Sequence, residues 1–255
     1  MASESILDLA PPAADERARY GAAAQHFMNV RLPANKKASG AVMNIHGGFW
    51  RNQYDLLHAG HLCAALTKAG YATFNVEYRR VGDDGGGWPG TFEDLRSAYG
   101  YLRQHAAKFG INGDKVVVMG HSAGGQLALA LAGHESSVAG AISLAGVLDL
   151  QRAFELHLSN DAVLEFLGGT PQQVPEHYRE ASPFSLKIAA RQVVIAGDAD
   201  DIVPPQMSRD YAAKKKADGE RVQLAEIAKA DHFDLIDPRS EAFGKVVEAV
   251  HSVSS

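Results

Sequence analysis

Cysteine is almost missing from this 255-residue chain: there is one, Cys63, so no intramolecular disulfide can form. It falls in the helical run "LLHAGHLCAALTKAG", where a thiol serves as a small buried hydrophobe. No apolar run approaches the roughly 18 residues of a membrane span. The opening "MASESILDLA" also lacks the basic start and apolar stretch of a secretory signal. The expectation is a cytoplasmic protein away from any membrane. Positive charge is not in excess: 25 Lys and Arg stand against 30 Asp and Glu, a net −5, which argues against nucleic acid as a partner. The run Lys214-Lys215-Lys216 lies in a helical pattern and reads as a solvated face. The glycine-rich "VGDDGGGWPG" is not followed by Gly-Lys-Ser/Thr, so it is not a phosphate loop. His58 and His61 are one helical turn apart, but no third ligand stands beside them, and no metal is expected. Nothing in the sequence sets an oligomeric state.

What is present fits one α/β domain spanning residues 1–255, with 46% hydrophobic and 22% charged residues. Met28, Val30 and Leu32 alternate with polar residues, as in a half-exposed strand. "AVMNIHGG", "YATFNVEYR", "KVVVMG", "GAISLAG" and "RQVVIAG" read as strands, and "RVQLAEI" as a last, more exposed one. Helical patterns lie between them, and Asp237-Pro238 reads as the start of a terminal helix. Strands alternating with helices imply a mostly parallel, twisted sheet flanked by helices. Val147–Lys187 offers no strand pattern. An apolar insertion of that size is expected to cover a site as a small lid.

The segment "VVVMGHSAGGQLALALAG" carries the chemistry. Gly120-His121-Ser122-Ala123-Gly124 is a G-x-S-x-G between an apolar strand and a helix. The turn is so tight that the serine takes a strained backbone and its hydroxyl is pushed out above the strand ends. A serine hydroxyl needs a base, and the base needs a group to orient it. His232, in "KADHFDLID", follows the last strand. Asp200, in "GDADDIVPP", follows "RQVVIAG", so all three lie at one face of the sheet, in the chain order Ser, Asp, His. "HGGFW", His46 to Trp50, follows another strand. The N–H groups of Gly48 and Phe49 can join that of Ala123 against a developing oxyanion, while His46 braces the loop. Asp198 sits too close to its strand to reach the histidine. Asp201 is expected to turn toward the "IVPP" backbone and accept its N–H groups.

On "HGGFW", "GHSAGG", "GDADDIVP" and "DHFDLI" the whole chain resembles the α/β-hydrolase superfamily, and more closely the esterase and kynurenine formamidase (arylformamidase) group with an H-G-G-x-W motif. The resemblance implies a Ser–His–Asp hydrolase without metal or organic cofactor. Ser122 would be the nucleophile, Asp200 the acid, His232 the base, and the lid would be inserted after the sixth strand of that fold. The expected activity is hydrolysis of small carboxylic esters through an acyl-enzyme. An arylformamidase acting on N-formyl-kynurenine-type amides is the alternative. From a different class comes a catalytically silent hydrolase-fold binding protein, but such proteins lose the serine, the histidine or the glycines that this chain keeps. Trp50, Tyr78 and Trp88, with Leu158 and Phe166 of the insertion, are the candidate substrate-binding residues, and Leu156 and Leu167 are expected to face the site as well.

Overall fold

Apolar runs become strands because both faces of the sheet are covered. The structure, a computed structural model, describes residues 4–34 and 37–254. Its strands are β1 (Glu16–Arg19), β2 (Phe27–Arg31), β3 (Gly40–Ile45), β4 (Tyr71–Val76), β5 (Val116–His121), β6 (Gly140–Leu144), β7 (Arg191–Gly197) and β8 (Val222–Ile227). They form one sheet in the order β1-β2-β4-β3-β5-β6-β7-β8. The pairs β1–β2 and β2–β4 are antiparallel, and every pair from β4 to β8 is parallel. This is the α/β-hydrolase fold.

The helices are α1 (Gly60–Lys68), α2 (Gly90–Gln104), α3 (Ala123–His134), α4 (Leu150–Glu155), α5 (Ala162–Leu167), α6 (Pro175–Ala181), α7 (Pro205–Ala217) and α8 (Ala242–Ser254). In β5 successive side chains go to opposite faces. Val116 and Val118 enter one core with α2 and α3, whereas Val117 and Met119 enter the other with α1 and α8. Both sets are buried, so the strand shows no polar alternation. The insertion 147–187 holds α4, α5 and α6 and no strand.

Two elements differ from the sequence expectation. Strand β1, "ERAR", is added at the sheet edge and is mostly exposed. Backbone pairing to β2 creates it, not an apolar pattern. The terminal helix begins at Ala242, not at Pro238. Asp237 is instead spent on a turn: its carboxylate accepts the Arg239 backbone N–H at 2.8 Å and the Arg239 guanidinium at 2.6 Å. That pairing holds the Asp237 carboxyl below the ordinary carboxylate range, against the effect of its partial burial.

Candidate active site

Ser122 joins β5 to α3 with φ +56° and ψ −123°, a region that costs a residue with a side chain of order 1–3 kcal/mol. The corner holds because its neighbours are fixed. The Ser122 N–H donates to Leu144 O at 2.8 Å, and its carbonyl accepts from Gly125 N at 2.9 Å. The flanking glycines are required by close approach. A methyl group on Gly120 would collide with the backbone of Gly124, and one on Gly124 with the carbonyls of Ile45 and His46. The loop after β3 therefore lies directly against the serine corner. A methyl on Gly47 would come within 2.9 Å of His121 O and 3.0 Å of Ser122 Cβ.

Asp200 and His232 meet across the sheet's C-terminal edge. His232 Nδ1 lies 2.7 Å from Asp200 Oδ2, with both side chains buried. The other carboxylate oxygen, Oδ1, accepts the backbone N–H groups of Ile202 and Val203, each at 2.9 Å. This corrects the expectation for Asp201, which is exposed: Asp200 braces the loop itself and orients the histidine with its second oxygen. Asp198 Oδ1 accepts the Lys229 N–H, which ties the loop after β7 to the loop that carries His232. His121 Nε2 donates to His232 O at 2.9 Å, and its ring lies 4.5 Å from the His232 ring. Burial first, then repulsion from His232, hold His121 well below its ordinary value, so it stays a neutral donor.

Ser122, His232, Gly48 and Phe49 line one cavity of about 200 Å³. Gly48 and Phe49 both have positive φ, +111° and +48°. Among the described residues no acceptor takes their N–H groups. Ala123 opens α3, whose first N–H groups have no partner within the helix. His46 lies behind the loop, with Nε2 3.1 Å from Glu77 Oε1 and Nδ1 2.8 Å from Gly47 O. Glu77 also takes the N–H groups of Tyr78 and Leu56 and pairs with Arg80. Burial pushes its carboxyl up, but His46, Arg80 and the Tyr78 N–H outweigh that and leave it below the usual range.

The proposed substrate-binding residues lie elsewhere. Trp50 is 1% exposed; its Nε1 donates to Gln126 Oε1 at 2.8 Å, and its ring stacks on Phe166 at 4.6 Å and 7°. Tyr78 is fully buried, stacks on His46 and donates its hydroxyl to His46 O. Trp88 packs on Phe92 and Phe166. Leu158 packs against the core and Leu167 is within it, whereas Leu156 is exposed. None of these lines the cavity, and of the insertion only Ser159 does. The apolar wall comes instead from Leu7, Tyr54, Ile202 and Phe233, with His58 and Arg51 beside them. Arg51 directly follows "HGGFW". Its guanidinium donates to Glu165, Ser159 Oγ and Asn160 O, so it fastens the loop to the insertion. His121 is embedded in the serine motif, and that adjacency was a usable signal. Leu7 had none, because the N-terminal segment shows no periodicity. A larger cavity, about 420 Å³ beside α4 and α6, gathers neither Ser122 nor His232.

Comparison with known proteins adds three findings. A family model described as BD-FAE matches residues 28–214. The chain is similar to the esterase LipQ of Mycobacterium tuberculosis, 28% identical over 213 residues, which covers 76% of this chain and 50% of that one. It spans about half to two thirds of the length of the curated relatives it matches first. Among solved structures, a truncated carbohydrate esterase from gut microbiota superposes with a TM-score of 0.82 at 20% identity, covering 96% and 99% of the two chains. The propionate-bound esterase Est2 of Thermogutta terrifontis gives 0.74 at 25% identity, covering 93% and 92%.

Proposed function

This chain belongs to the BD-FAE family, and from that membership we propose that it is a serine hydrolase cleaving small carboxylic esters through an acyl-enzyme. The observation that carries the reading is the buried 2.7 Å contact between His232 Nδ1 and Asp200, at the mouth shared with a serine in strained backbone. In the proposed course Asp200 holds the histidine with its proton on Nδ1, which leaves Nε2 to take the proton of Ser122 Oγ. The alkoxide carbon–oxygen bond forms at the ester carbonyl. The N–H groups of Phe49, Gly48 and Ala123 receive the resulting oxyanion. Collapse expels the alcohol, which takes its proton from His232, and water repeats the sequence on the acyl-enzyme. The cavity of about 200 Å³ favours a small group beside the carbonyl, and the propionate held by the Thermogutta terrifontis relative supports the same scale.

The test is Ser122→Ala, which fits the same space. It is expected to abolish p-nitrophenyl acetate turnover and fluorophosphonate labelling while leaving the melting temperature within about 2 °C. Retained turnover in the purified variant would end the assignment. N-formyl-kynurenine, run beside the ester, decides between ester and formamide: a higher kcat/KM for the formamide replaces the ester reading with the arylformamidase one.

A further inference from the structure

Among the described residues the large hydrophobic side chains left exposed are Leu7 at 38%, Leu9 at 43%, Tyr54 at 47%, Leu57 at 51% and Leu156 at 36%. Single exposed leucines are ordinary, but a cluster beside a concave site is not. Four of these five gather in one region. Leu7 and Tyr54 line the catalytic cavity. Leu7, Leu9 and Leu57 line an adjoining groove of about 480 Å³, and Leu7 and His58 are walls of both. The leucines are not on a loose end. Ile6 is buried in the core. Ser5 Oγ accepts from Arg239 at 2.9 Å, Leu9 O from His61 Nε2 at 3.2 Å and Pro12 O from Arg31 at 2.6 Å. The Asp15 N–H then joins Val30 O at 2.9 Å. The segment is fastened along its length, so its exposed leucines are presented by the fold.

We propose that Leu7, Leu9 and Leu57, with Tyr54, form an apolar subsite continuous with the catalytic cavity, which takes the longer apolar arm of an ester whose carbonyl sits at Ser122. The inference rests on the esterase reading and names the class of ester it acts on: one small arm, one extended apolar arm. The catalytic cavity is about 200 Å³, so a larger ester must extend beyond it. Toward the insertion the wall is polar, with Arg51 and Ser159 bound to each other at 3.1 Å. Across Leu7 and His58 it opens onto a groove where Leu9, Leu57, Pro11 and Pro12 outnumber the polar Asp8, Asn29 and Arg31. Burial, with repulsion from His46 next, pushes His58 down to about 3, so this shared wall carries no charge at neutral pH. Continuity with the catalytic cavity, through two shared residues, makes the substrate the occupant in preference to a lipid surface.

Two ester series test this: p-nitrophenyl acetate, butyrate and octanoate, and methyl, butyl and octyl acetate. The wild type is expected to favour the longest member of at least one series. Leu9→Ser and Leu57→Ser are each expected to lower the longest-to-shortest ratio of kcat/KM about fivefold, mainly through KM, and the double variant further. Leu156→Ser, the exposed leucine away from both cavities, keeps the wild-type ratio. Octanoate titration reads the same subsite without turnover, with binding weakened in the double variant. An unchanged ratio in both series, with p-nitrophenyl acetate still hydrolysed, overturns the subsite. So does an unchanged ratio accompanied by lost binding to phosphatidylcholine vesicles, which marks a lipid-facing patch instead. Failure of the esterase reading looks different: no ester is hydrolysed and no fluorophosphonate label appears, and octanoate bound equally by wild type and double variant then rejects the subsite as well.

Discussion

Replacing Asp200 by asparagine separates two jobs that one carboxylate performs. Oδ1 accepts two loop N–H groups at 2.9 Å, and Oδ2 lies 2.7 Å from His232 Nδ1. Asparagine has one oxygen and one NH₂. If the NH₂ faced the loop, two donors would confront a donor and both bonds would be lost. The oxygen therefore stays on Ile202 and Val203, and the NH₂ turns to the histidine. His232 Nδ1 must then accept, its proton moves to Nε2, and no ring nitrogen remains to deprotonate the serine. The expected loss in kcat is roughly 10² to 10⁴, or about 2.7–5.4 kcal/mol of transition-state stabilisation, with little change in melting temperature. Asp200→Ala loses the same function and in addition strands the buried Val203 N–H, costing about 1–3 kcal/mol of stability. Asp201→Asn, at an exposed position, stays within about 0.5 kcal/mol and within a few-fold in rate. Initial rates on p-nitrophenyl acetate and thermal melts of the three variants decide the matter. An active Asp200→Asn, or an inactive Asp201→Asn, refutes the reasoning.

Other expectations follow from the same geometry. Trp50→Ala, which empties a site between Gln126 and Phe166, costs about 3–5 kcal/mol in denaturant unfolding; a shift in ester preference at unchanged stability would return Trp50 to the pocket. Gly124→Ala drives a methyl into the carbonyls of Ile45 and His46, so poor soluble yield or a loss of several kcal/mol is expected, and a wild-type melt would contradict the close approach. His58 is depressed by burial first and then by His46, and His121 by burial first and then by His232. Below about 6.5 the unfolded chain takes protons that the folded state refuses. Stability from these two groups is therefore complete above that pH and is lost progressively as pH falls below it, for His58 down to about 3. Between pH 6.5 and 5, before most carboxylates titrate, the melting temperature should fall, and less steeply in His58→Gln; an equal slope in both proteins removes His58 from the account.

The inner strands were legible because burial on both faces leaves apolar runs that polar neighbours do not interrupt, as at Val116–Met119. The serine corner was legible because its glycines are imposed by backbone contact, which sequence spacing records. Strand β1 was not, since "ERAR" is held by pairing to β2 and carries no apolar alternation. Aromatic type did not tell pocket from core: Trp50, Tyr78 and Phe166 are large, apolar and near the motifs, yet their rings stack inside the protein. Which of two adjacent aspartates braces the loop is decided by a few ångströms of loop geometry, and Asp200 takes both tasks. The wall contributed by Leu7 joins residues more than 100 positions apart in sequence, and no local pattern announces it.

The contact between Trp50 and Phe166 bears on how far the insertion can move. Gln126, wholly enclosed, accepts from Trp50 Nε1 and donates to Ala181 O at 2.7 Å, so the loop after β3, the helix behind the serine and the end of the insertion share one buried amide. Swinging the insertion outward would strand the NH₂ end of that amide, which donates to Ala181 O, and unstack the Trp50 and Phe166 rings, a penalty of a few kcal/mol. The insertion is therefore expected to act as a buttress held by these contacts. On the proposed esterase reading, substrate and alcohol would then pass without a moving insertion, and added viscogen is expected to slow turnover only when a substrate approaches the diffusion limit.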